Sequence, residues 1–531
     1  MAVISSHCLL SFTSFVLLLM VVVVGGSPGC DGSFTLSSKL IHRFSEEARL
    51  IWRRSSGEAH RGPSPRSRSL EYYEMLWRSD VQRQRMRLSP QYQSLLFSEG
   101  SETFSPGNDL GWLHYVWVDI GTPNVSFFVA LDTGSDLFWV PCDCIQCAPF
   151  AAQNFSLDRD LNMYDPAGST TSKHLLCSDE LCDMGFECKS QKQFCPYAVN
   201  YYSAGTSTSG LLVQDKLHLA VSNNLSSKSP IEATIVIGCG RKQTGDYLDG
   251  VAPNGVMGLG FGELSVPSSL AKAGLVRDSF SLCFQEDGSG RIVFGDQGLA
   301  NQSTTPFVSS RGKYLTYIVE VESVCIGKTC LEQASFQTLV DSGSSFTFVP
   351  ADVYKSVVLE FDARMNASKV VYEGFPWEYC YKGRLKELPD FPKLTVMFAN
   401  DSFSVQSPLL ELHATEEDSN IFCLALQSTT DAIGVIGQNW MTGYRMVFDR
   451  ENLKLGWSPS KCRLLNETKA NGRPENSLPT DQQQSPPGGH AVSPAIAGWA
   501  PPAKPSAASS LRMPRFFLLL LVLICWQQQR S

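Results

Sequence analysis

One stretch of the chain decides how the rest of it is interpreted. It reads Phe127-Phe128-Val129-Ala130-Leu131-Asp132-Thr133-Gly134-Ser135-Asp136-Leu137-Phe138-Trp139-Val140. An apolar, aromatic-rich run precedes Asp132, the residues Thr-Gly-Ser after it are typical of a tight turn, and a second apolar segment follows. Alone, Asp132 is ordinary turn chemistry, because Asp and Gly are common turn residues.

The same pattern returns in the second half of the chain. It reads Leu339-Val340-Asp341-Ser342-Gly343-Ser344. Each Asp motif is followed by an apolar-apolar-Gly motif, Val256–Gly258 in the first half and Val435–Gly437 in the second. The Asp-to-Gly spacing is 126 residues in the first half and 96 in the second, and the Cys-dense stretch 142–195 readily accommodates the extra residues. This internal repeat predicts two similar lobes, the first with a cystine-rich insertion.

The region from Leu110 to Lys461 is expected to be mainly β and mostly antiparallel. Strand-like runs punctuated by Gly, Pro, Asn and Asp recur at Leu113–Ile120, Val125–Leu131, Ile231–Ile237, Arg291–Phe294, Tyr314–Val321, Leu394–Phe398 and Tyr444–Phe448. The best helix candidate in this region is Ala351–Arg364.

Composition and targeting signals favour the secretory route. The chain has 531 residues, of which 43% are hydrophobic. Its net charge of -8 argues against a nucleic-acid partner. The apolar run Leu9–Val24 before Gly25-Gly26 indicates a signal peptide cleaved after Gly26, with an uncleaved signal anchor as the alternative. Seven N-glycosylation sequons begin at Asn124, Asn154, Asn224, Asn301, Asn366, Asn400 and Asn466.

Fourteen of the 17 Cys lie between Cys142 and Cys462, which predicts disulfides in an oxidising compartment. The run Cys142–Cys147 could suggest a zinc site, but the absence of a nearby His favours disulfides. The Gly-rich run that begins at Gly255 lacks the spacing of a nucleotide-binding loop, so we interpret its glycines as structural. No metal and no cofactor is expected.

Residues 27–105 are rich in Arg, and Leu70–Leu88 has helical periodicity. Two interpretations stay open: a basic propeptide that docks on an acidic cleft, or a disordered basic linker. The Arg residues at 83–87 mark either a processing region or a solvated helix face.

The C-terminal end has its own composition. Residues 466–510 are rich in Pro, Ser, Gln and Ala and are typical of an extended stalk. Small residues at Ser506, Ala507 and Ala508, a polar spacer and the apolar run Phe516–Trp526 predict a glycosylphosphatidylinositol (GPI) anchor signal. A plain secreted tail is the alternative, because the chain ends in polar residues.

Two carboxylates brought together cannot both ionise easily, so they share one proton at acid pH. One then acts as general base and the other as general acid on a bound water and a peptide carbonyl. Gly134 and Gly343 allow close approach of the two backbones. The hydroxyls of Thr133 and Ser342 are placed to tie the two loops together, and those of Ser135 and Ser344 to hydrogen-bond the outer carboxylate oxygens.

Over about residues 110–462 the chain resembles the pepsin-like aspartic proteases, especially the plant nepenthesin-type and aspartic proteinase-like members. The resemblance is carried by the two Asp motifs, their paired Gly motifs, Ile120–Pro123, Trp139, the Cys cluster, Ile237–Gly240 and the C-terminal Phe448-Asp449 and Leu455–Trp457. It implies a bilobal double-β-barrel with the cleft between homologous lobes, and Asp132 and Asp341 as the catalytic pair.

The resemblance also implies a flap hairpin over the cleft, residues 195–210, whose Tyr hydrogen-bonds Trp139. This flap departs from the family's Tyr-Gly-Asp-Gly-Ser pattern. Counting from Cys195 selects Tyr201 and counting back from Gly210 selects Tyr202; we prefer Tyr201 because the incoming strand sets the side-chain face.

A bridge between Cys325 and Cys330, which flank a short turn, is plausible from the sequence, and one between Cys380 and Cys423 is implied by the resemblance. The pairing of the other ten Cys in this region stays open.

The expected protein is a monomeric aspartic endopeptidase, made as a zymogen, that acts on protein or peptide substrates at acid pH. A catalytically silent binding or inhibitor protein on the same fold is the alternative. We expect it at the extracellular face of the plasma membrane, held by a lipid anchor, or in the cell wall. The expected parts are a signal peptide (1–26), a basic propeptide (27–105), an N-terminal lobe (106–305), a C-terminal lobe (306–465), a stalk (466–510) and an anchor signal (511–531).

Overall fold

The computed structural model describes eleven stretches of the chain. They are residues 35–55, 65–86, 113–148, 161–182, 188–200, 206–219, 231–309, 316–371, 375–384, 390–413 and 419–462. The signal sequence, the stalk, the anchor signal with Ser506, Ala507 and Ala508, and the flap residues Tyr201 and Tyr202 lie outside them. Within the described stretches no helix is both long and apolar enough to cross a membrane.

The Arg-rich N-terminal region contains three elements. They are strand β1 (Leu36–His42) and helices α1 (Glu46–Ser55) and α2 (Leu70–Met86). Over residues 35–55 and 65–86 the interpretation as a disordered linker is therefore wrong. The helix expected over Leu70–Leu88 is confirmed as α2, and Arg87 lies outside the described residues.

The first lobe follows as a series of strands. They are β2 (His114–Ile120), β3 (Val125–Asp132), β4 (Phe138–Gln146), β5 (Lys173–His174), β6 (Pro196–Asn200), β7 (Ser207–Leu219), β8 (Ile231–Thr244), β9 (Val256–Gly258), β10 (Ser279–Phe284), β11 (Gly290–Phe294) and β12 (Ser303–Pro306). One short helix, α3 (Val266–Lys272), lies between β9 and β10; its cap residue Ser265 accepts a hydrogen bond from Ser268 N–H.

The second lobe repeats the pattern. Its strands are β13 (Ile318–Ile326), β14 (Thr329–Leu331), β15 (Phe336–Val340), β16 (Thr347–Pro350), β17 (Ser368–Val370), β18 (Cys380–Arg384), β19 (Leu394–Phe398), β20 (Ser402–Ser404), β21 (Leu409–His413), β22 (Ser419–Leu424), β23 (Leu426–Thr429), β24 (Ile433–Ile436), β25 (Tyr444–Asp449) and β26 (Lys454–Pro459). Its helices are α4 (Ala351–Asp362) and α5 (Gln438–Met441). A strand lies at each of the seven expected places, but the one expected over Tyr314–Val321 begins only at Ile318, and Tyr314 and Leu315 lie outside the described residues. Helix α4 confirms the helix expected at Ala351–Arg364.

The strands form sheets of 14, eight and four strands. The largest runs in the order β12-β26-β25-β10-β11-β1-β2-β3-β9-β4-β8-β7-β5, with β6 paired to β7. Strand β1 therefore lies inside this sheet, antiparallel to β11 on one side and to β2 on the other. Leu36 and Leu40 of β1 are fully buried in the largest hydrophobic core of the described chain, so this part of the basic region belongs to the folded body.

The internal repeat is confirmed by the way each Asp loop is built. In the first lobe β3 pairs in parallel with β9, and Asp132 lies opposite Gly258. In the second, β15 pairs in parallel with β24, and Asp341 N–H donates to the Ile436 carbonyl. Each motif Gly is required by a close approach: a Cβ on Gly258 would lie 2.3 Å from the Asp136 backbone, and one on Gly437 would lie 2.2 Å from the Phe346 carbonyl oxygen.

All fourteen Cys between Cys142 and Cys462 form disulfides, as expected. The pairs are Cys142–Cys239, Cys144–Cys147, Cys177–Cys188, Cys182–Cys195, Cys283–Cys462, Cys325–Cys330 and Cys380–Cys423. The disulfide interpretation of Cys142–Cys147 is thus confirmed over the zinc interpretation, since a bridged sulfur has no thiolate to offer a metal. Three of the bridges lie wholly within 142–195, the stretch predicted to carry the insertion.

Candidate active site

Asp132 and Asp341 end equivalent strands and are held by equivalent hydrogen bonds. Gly134 N–H donates to Asp132 Oδ1 at 2.9 Å, and Gly343 N–H donates to Asp341 Oδ1 at 2.9 Å. Ser135 adds a hydroxyl donor to Asp132 Oδ2 at 2.7 Å, as expected. In each loop the carboxylate is therefore held by hydrogen bonds from the small residues that follow the Asp.

The two loops meet through the residues that follow each Asp. The hydroxyl oxygens of Thr133 and Ser342 are 3.5 Å apart, and Ser342 N–H donates to Thr133 Oγ1 at 3.4 Å. Thr133 and Ser342 are almost completely buried, so these polar contacts are shielded from water. The predicted tie between the loops is therefore present, and it brings the two Asp-bearing turns face to face.

The first loop continues into a partly buried acid, Asp136. Burial raises the pKa of Asp136, while a hydrogen bond from Gly262 N–H and the nearby Arg450 guanidinium act in the opposite direction. The Gly262 contact is 2.7 Å long. Asp136 therefore anchors the loop to the residues after β9, as a hydrogen-bond acceptor behind the site.

Trp139 is fully buried and packs edge-on against Tyr247, with ring centroids 4.8 Å apart. Its indole N–H has no hydrogen-bond partner among the described residues. A buried donor without a partner costs about 1–3 kcal/mol. The flap tyrosines expected to accept this bond, Tyr201 and Tyr202, lie outside the described stretches, so the expected contact stays a prediction.

The loop of Asp341 carries a contact that the sequence did not reveal, with helix α2 of the Arg-rich region. The carboxylate of Asp80 accepts Ser345 N–H at 2.8 Å and Phe346 N–H at 2.7 Å. Asp80 is completely buried. Gly134 in the first loop is exposed, whereas residues 341–349 of the second loop are all buried.

The same face of α2 places an aromatic side chain in the second lobe. The Tyr73 ring lies 6.3 Å from the Phe346 ring and 6.2 Å from the Trp377 ring, centroid to centroid. Its hydroxyl donates to the Glu411 carbonyl oxygen at 3.1 Å, and burial raises the pKa of that hydroxyl. Phe346 therefore contacts α2 twice, through its backbone N–H and through its ring.

The docking of this region is only partly electrostatic. Arg68 forms an ion pair with Glu411 at the edge of the contact. The buried part consists of β1 pairing, aromatic packing, the acceptor Asp80 and one cation, Arg43, which donates to Ser79 of α2. Charge attraction between the Arg-rich region and acidic residues therefore acts mainly at the rim of the contact. Burying several Arg side chains would cost more in lost hydration than their attraction to carboxylates would return.

Four of the seven sequon asparagines lie in described stretches. Asn124, Asn301, Asn366 and Asn400 are all exposed. A side chain that carries a glycan must be exposed, so these four positions are compatible with glycosylation, which stays a prediction. Asn154, Asn224 and Asn466 lie outside the described residues.

A two-lobed β protein that joins one Asp-hydroxyl-Gly-Ser loop from each lobe through their hydroxyl residues has the architecture of a pepsin-like aspartic peptidase. Two family models match the two lobes: one described as "Xylanase inhibitor N-terminal" covers residues 114–296, and one described as "Xylanase inhibitor C-terminal" covers residues 316–459. The chain belongs to the pepsin-like aspartic proteinase family, within the group of its plant members.

Relatives of the chain carry proteinase names. Aspartic proteinase-like protein 1 of Arabidopsis thaliana is 52% identical over 505 residues, which is 92% of this chain and 94% of the relative. Aspartyl protease family protein 1 of the same plant is 40% identical, covering 84% of this chain and 85% of the relative. Nepenthesin-2 of Nepenthes gracilis is 24% identical, covering 74% of this chain and 87% of the relative.

Proposed function

We propose that this protein is an active aspartic endopeptidase that hydrolyses peptide bonds in protein or peptide substrates at acid pH. The observation that carries the proposal is the pair of equivalent loops, each of which holds an Asp carboxylate with a Gly N–H and meets the other through Thr133 and Ser342. Both carboxylates are intact, and each is the residue type that the reaction requires.

In the proposed reaction, Asp132 and Asp341 share one proton and hold a water molecule between them. The unprotonated carboxylate takes a proton from the water as its oxygen attacks the peptide carbonyl carbon, and the protonated one gives its proton to the carbonyl oxygen. In the second step the gem-diol gives a hydroxyl proton to the carboxylate that is now ionised, the other, protonated carboxyl gives its proton to the amide nitrogen, and the C–N bond breaks, so the pair again shares one proton. The acid and base roles belong to the pair, since two coupled carboxyl groups titrate together.

We further propose that the chain is made as a zymogen. Helix α2 is held on the second catalytic loop by Asp80 and Tyr73, and a substrate backbone would have to displace it to reach the Ser345 and Phe346 N–H groups. Removal or displacement of α2 is then the activating step.

The test is acid-dependent cleavage of a denatured protein by the purified chain, with and without a statine-type inhibitor. The variants Asp132→Asn and Asp341→Asn are expected to lose activity by several orders of magnitude, because neither retains a shared proton. Tyr247→Phe serves as a matched control, since it keeps the packing against Trp139 and leaves both carboxylates in place. Activity that persists in either Asn variant would refute the proposal.

A second candidate function is a binding or inhibitor protein on this fold. The names of the matching family models refer to a xylanase inhibitor, and one relative is named only proteinase-like. A purified chain that cleaves nothing between acid and neutral pH but inhibits an endoxylanase stoichiometrically would favour this candidate.

Location is part of the proposal. We infer passage through the secretory route, glycosylation at the seven sequons and a GPI anchor attached near Ser506–Ala508. Release of the cell-surface protein by a phosphatidylinositol-specific phospholipase would support the anchor. Retention of the C-terminal peptide in the mature protein would refute it and favour the plain secreted tail.

A further inference from the structure

The loop of Asp132 is held by the segment that follows β9. Gly260 N–H donates to the Ser135 carbonyl oxygen at 2.9 Å, which holds the backbone of the loop. Gly262 N–H donates to Asp136 Oδ1 at 2.7 Å, which holds a side chain at the end of the loop. This end of the loop therefore depends on a carboxylate that the proposed reaction does not use.

The glycines of the run that begins at Gly255 fit closely around this carboxylate. A Cβ on Gly258 would lie 2.3 Å from the Asp136 backbone, and one on Gly260 would lie 2.3 Å from Asp136 Oδ1. A Cβ on Gly262 would lie 2.4 Å from Asp136 Cγ. Three glycines in alternate positions thus leave the space that the Asp136 side chain occupies.

A cation from the second lobe binds the same segment. Arg450 follows directly after β25, and its side chain is only 2% exposed. Its Nη2 donates to the Phe261 carbonyl oxygen at 3.2 Å and to Ser268 Oγ at 2.6 Å. The Phe261 carbonyl and the Gly262 N–H belong to one peptide group and point in opposite directions across it. Arg450 and Asp136 therefore bind the two ends of a single peptide group.

The loop of Asp341 has no acid at the corresponding position. The residue four places after Asp341 is Ser345, whereas Asp136 is four places after Asp132. The Ser345 carbonyl oxygen accepts Asn439 N–H at 3.0 Å, so this loop is also held through its backbone. An additional carboxylate thus lies beside one member of the pair, on the Asp132 side.

We propose that Asp136 is a positioning residue whose negative charge, coupled to Arg450 through the peptide group between Phe261 and Gly262, helps to retain the shared proton of Asp132 and Asp341 and so sets the upper pH limit of cleavage. The inference rests on the protease function proposed above. Hydrogen bonds in series polarise one another, so a cation at one end of the peptide group strengthens the bond to the carboxylate at the other.

The charges around Asp136 give the direction of the effect. Burial raises the pKa of Asp136, a backbone N–H and Arg450 lower it, and the charge of Asp132 raises it. Asp278 pairs with Arg450 at 3.0 Å, and burial raises the pKa of the nearby Tyr317 hydroxyl, which stays neutral. Charge repulsion is reciprocal, so an ionised Asp136 disfavours loss of the last proton from the pair. Activity then extends to higher pH than it would without Asp136.

The test is the kcat–pH profile of the acid-activated chain on a quenched fluorescent peptide. Asp136→Asn keeps an oxygen acceptor for Gly262 N–H but removes the charge, so we expect the alkaline limb to move to lower pH by roughly half a unit. Arg450→Gln removes the opposing charge and is expected to move that limb to higher pH by a similar amount. Arg450→Lys keeps the charge and is expected to keep the limb of the parent chain.

The matched control is Glu263→Gln. Glu263 lies on the same segment, but it is exposed and pairs with Lys272 at 2.8 Å in solvent. Its charge is screened by water and salt, so the alkaline limb is expected to stay where it is in the parent chain.

The coupling through the peptide group is measured without catalysis. Hydrogen–deuterium exchange of residues 258–264 is followed in chains that also carry Asp132→Asn, which prevents self-cleavage. Asp136→Asn and Arg450→Gln are each expected to reduce protection of the Gly262 amide by roughly tenfold. Because both act on one peptide group, we expect the combined loss in the double variant to be smaller than the product of the two single losses.

The possible results separate the charge effect from simple loosening of the loop. If Asp136→Asn and Arg450→Gln move the alkaline limb in the same direction, or if Asp136→Asn leaves it unchanged, the role of the charge is refuted. Losses of protection that multiply refute the coupling. A parent chain that cleaves nothing at any pH overturns the proposed protease function, while losses that do not multiply would still support the coupling of Arg450 to Asp136.

Discussion

Replacing Asp80 by Asn is expected to free the loop of Asp341 from α2. The carboxylate is completely buried and accepts two backbone N–H groups, at 2.8 and 2.7 Å. Hydrogen bonds to a charged acceptor contribute about 1.5–3 kcal/mol each. Asn keeps one oxygen as a weaker acceptor, but its NH₂ group would face an N–H donor, so we expect a loss of about 3 kcal/mol.

A loss of about 3 kcal/mol makes the open state roughly 100-fold more populated. The assay is the initial rate of cleavage of a quenched fluorescent peptide by the unprocessed chain, measured immediately after transfer to acid. We expect the parent chain to show a lag before processing, and we expect Asp80→Asn to lack that lag. Glu74→Gln is the control, because Glu74 lies on the same helix but only in a long, largely exposed ion pair with Arg78.

The result that would refute this reasoning is an Asp80→Asn chain that folds normally and shows the same lag as the parent. Such a chain would show that the two N–H contacts do not hold α2 in place. Exchange protection of residues 65–86 at neutral pH distinguishes this outcome from a variant that opens but remains inactive for another reason.

Three further predictions concern the site and the fold. Ser135→Ala removes a hydroxyl donor from the carboxylate of Asp132 and is expected to lower kcat by roughly tenfold. Because that donor favours the charged carboxylate, its loss is also expected to shift the acid limb of the kcat–pH profile to higher pH. An unchanged profile contradicts this. Replacing Cys283 and Cys462 by Ser opens a bridge between residues 179 apart and is expected to cost up to about 5 kcal/mol of stability, seen as a lower midpoint in denaturant. Gly437→Ala would place a Cβ 2.2 Å from the carbonyl oxygen of Phe346 and is expected to reduce the soluble yield and Tm sharply, with wild-type Tm as the refuting result.

The parts of the fold that were predictable are those encoded locally. Asp132 and Asp341 each follow an apolar strand and precede a Gly turn, so the sequence pattern and the three-dimensional loop coincide. The spacing difference between the two halves indicated an insertion in the first, the density of Cys assigned it to residues 142–195, and three disulfides lie wholly within that stretch. In these cases a short pattern fixes the backbone and therefore its hydrogen bonds.

The contacts that were not predictable depend on which surfaces meet. Helical periodicity predicted α2 but could not indicate that Tyr73 would pack on Phe346, because amphipathicity gives a face without its partner. A signal was present in the sequence: Tyr73, Leu76 and Asp80 lie three, four and seven positions apart on one helix face, which puts an acid among apolar residues. A carboxylate on a buried face needs donors, and here they are N–H groups of the loop of Asp341.

Disulfide connectivity was open for the same reason. The pairs Cys142–Cys239 and Cys283–Cys462 join positions distant in sequence. They form because β4 pairs in parallel with β8, and because antiparallel pairing of β10 with β25 and of β25 with β26 brings the residues just after β26 close to β10. Cys325–Cys330 flanks a turn and could be anticipated, since its partners are already close in sequence. Pairings set by topology become visible only with the sheet order.

The Arg-rich region also shows why a change in composition and a folding boundary need not coincide. Composition separates residues 27–105 from the lobes, because residues 27–105 are rich in Arg and contain no sequon, whereas six of the seven sequons lie in the lobes. Yet β1 pairs along five residues with β11, and its Leu36 and Leu40 side chains lie in the largest core of the described chain. Helix α2 instead packs on a smaller core around Phe346 and Trp377, beside the loop of Asp341. The two elements therefore have separable consequences: loss of β1 removes an internal strand of the largest sheet, whereas displacement of α2 uncovers the loop of Asp341 and leaves that sheet complete.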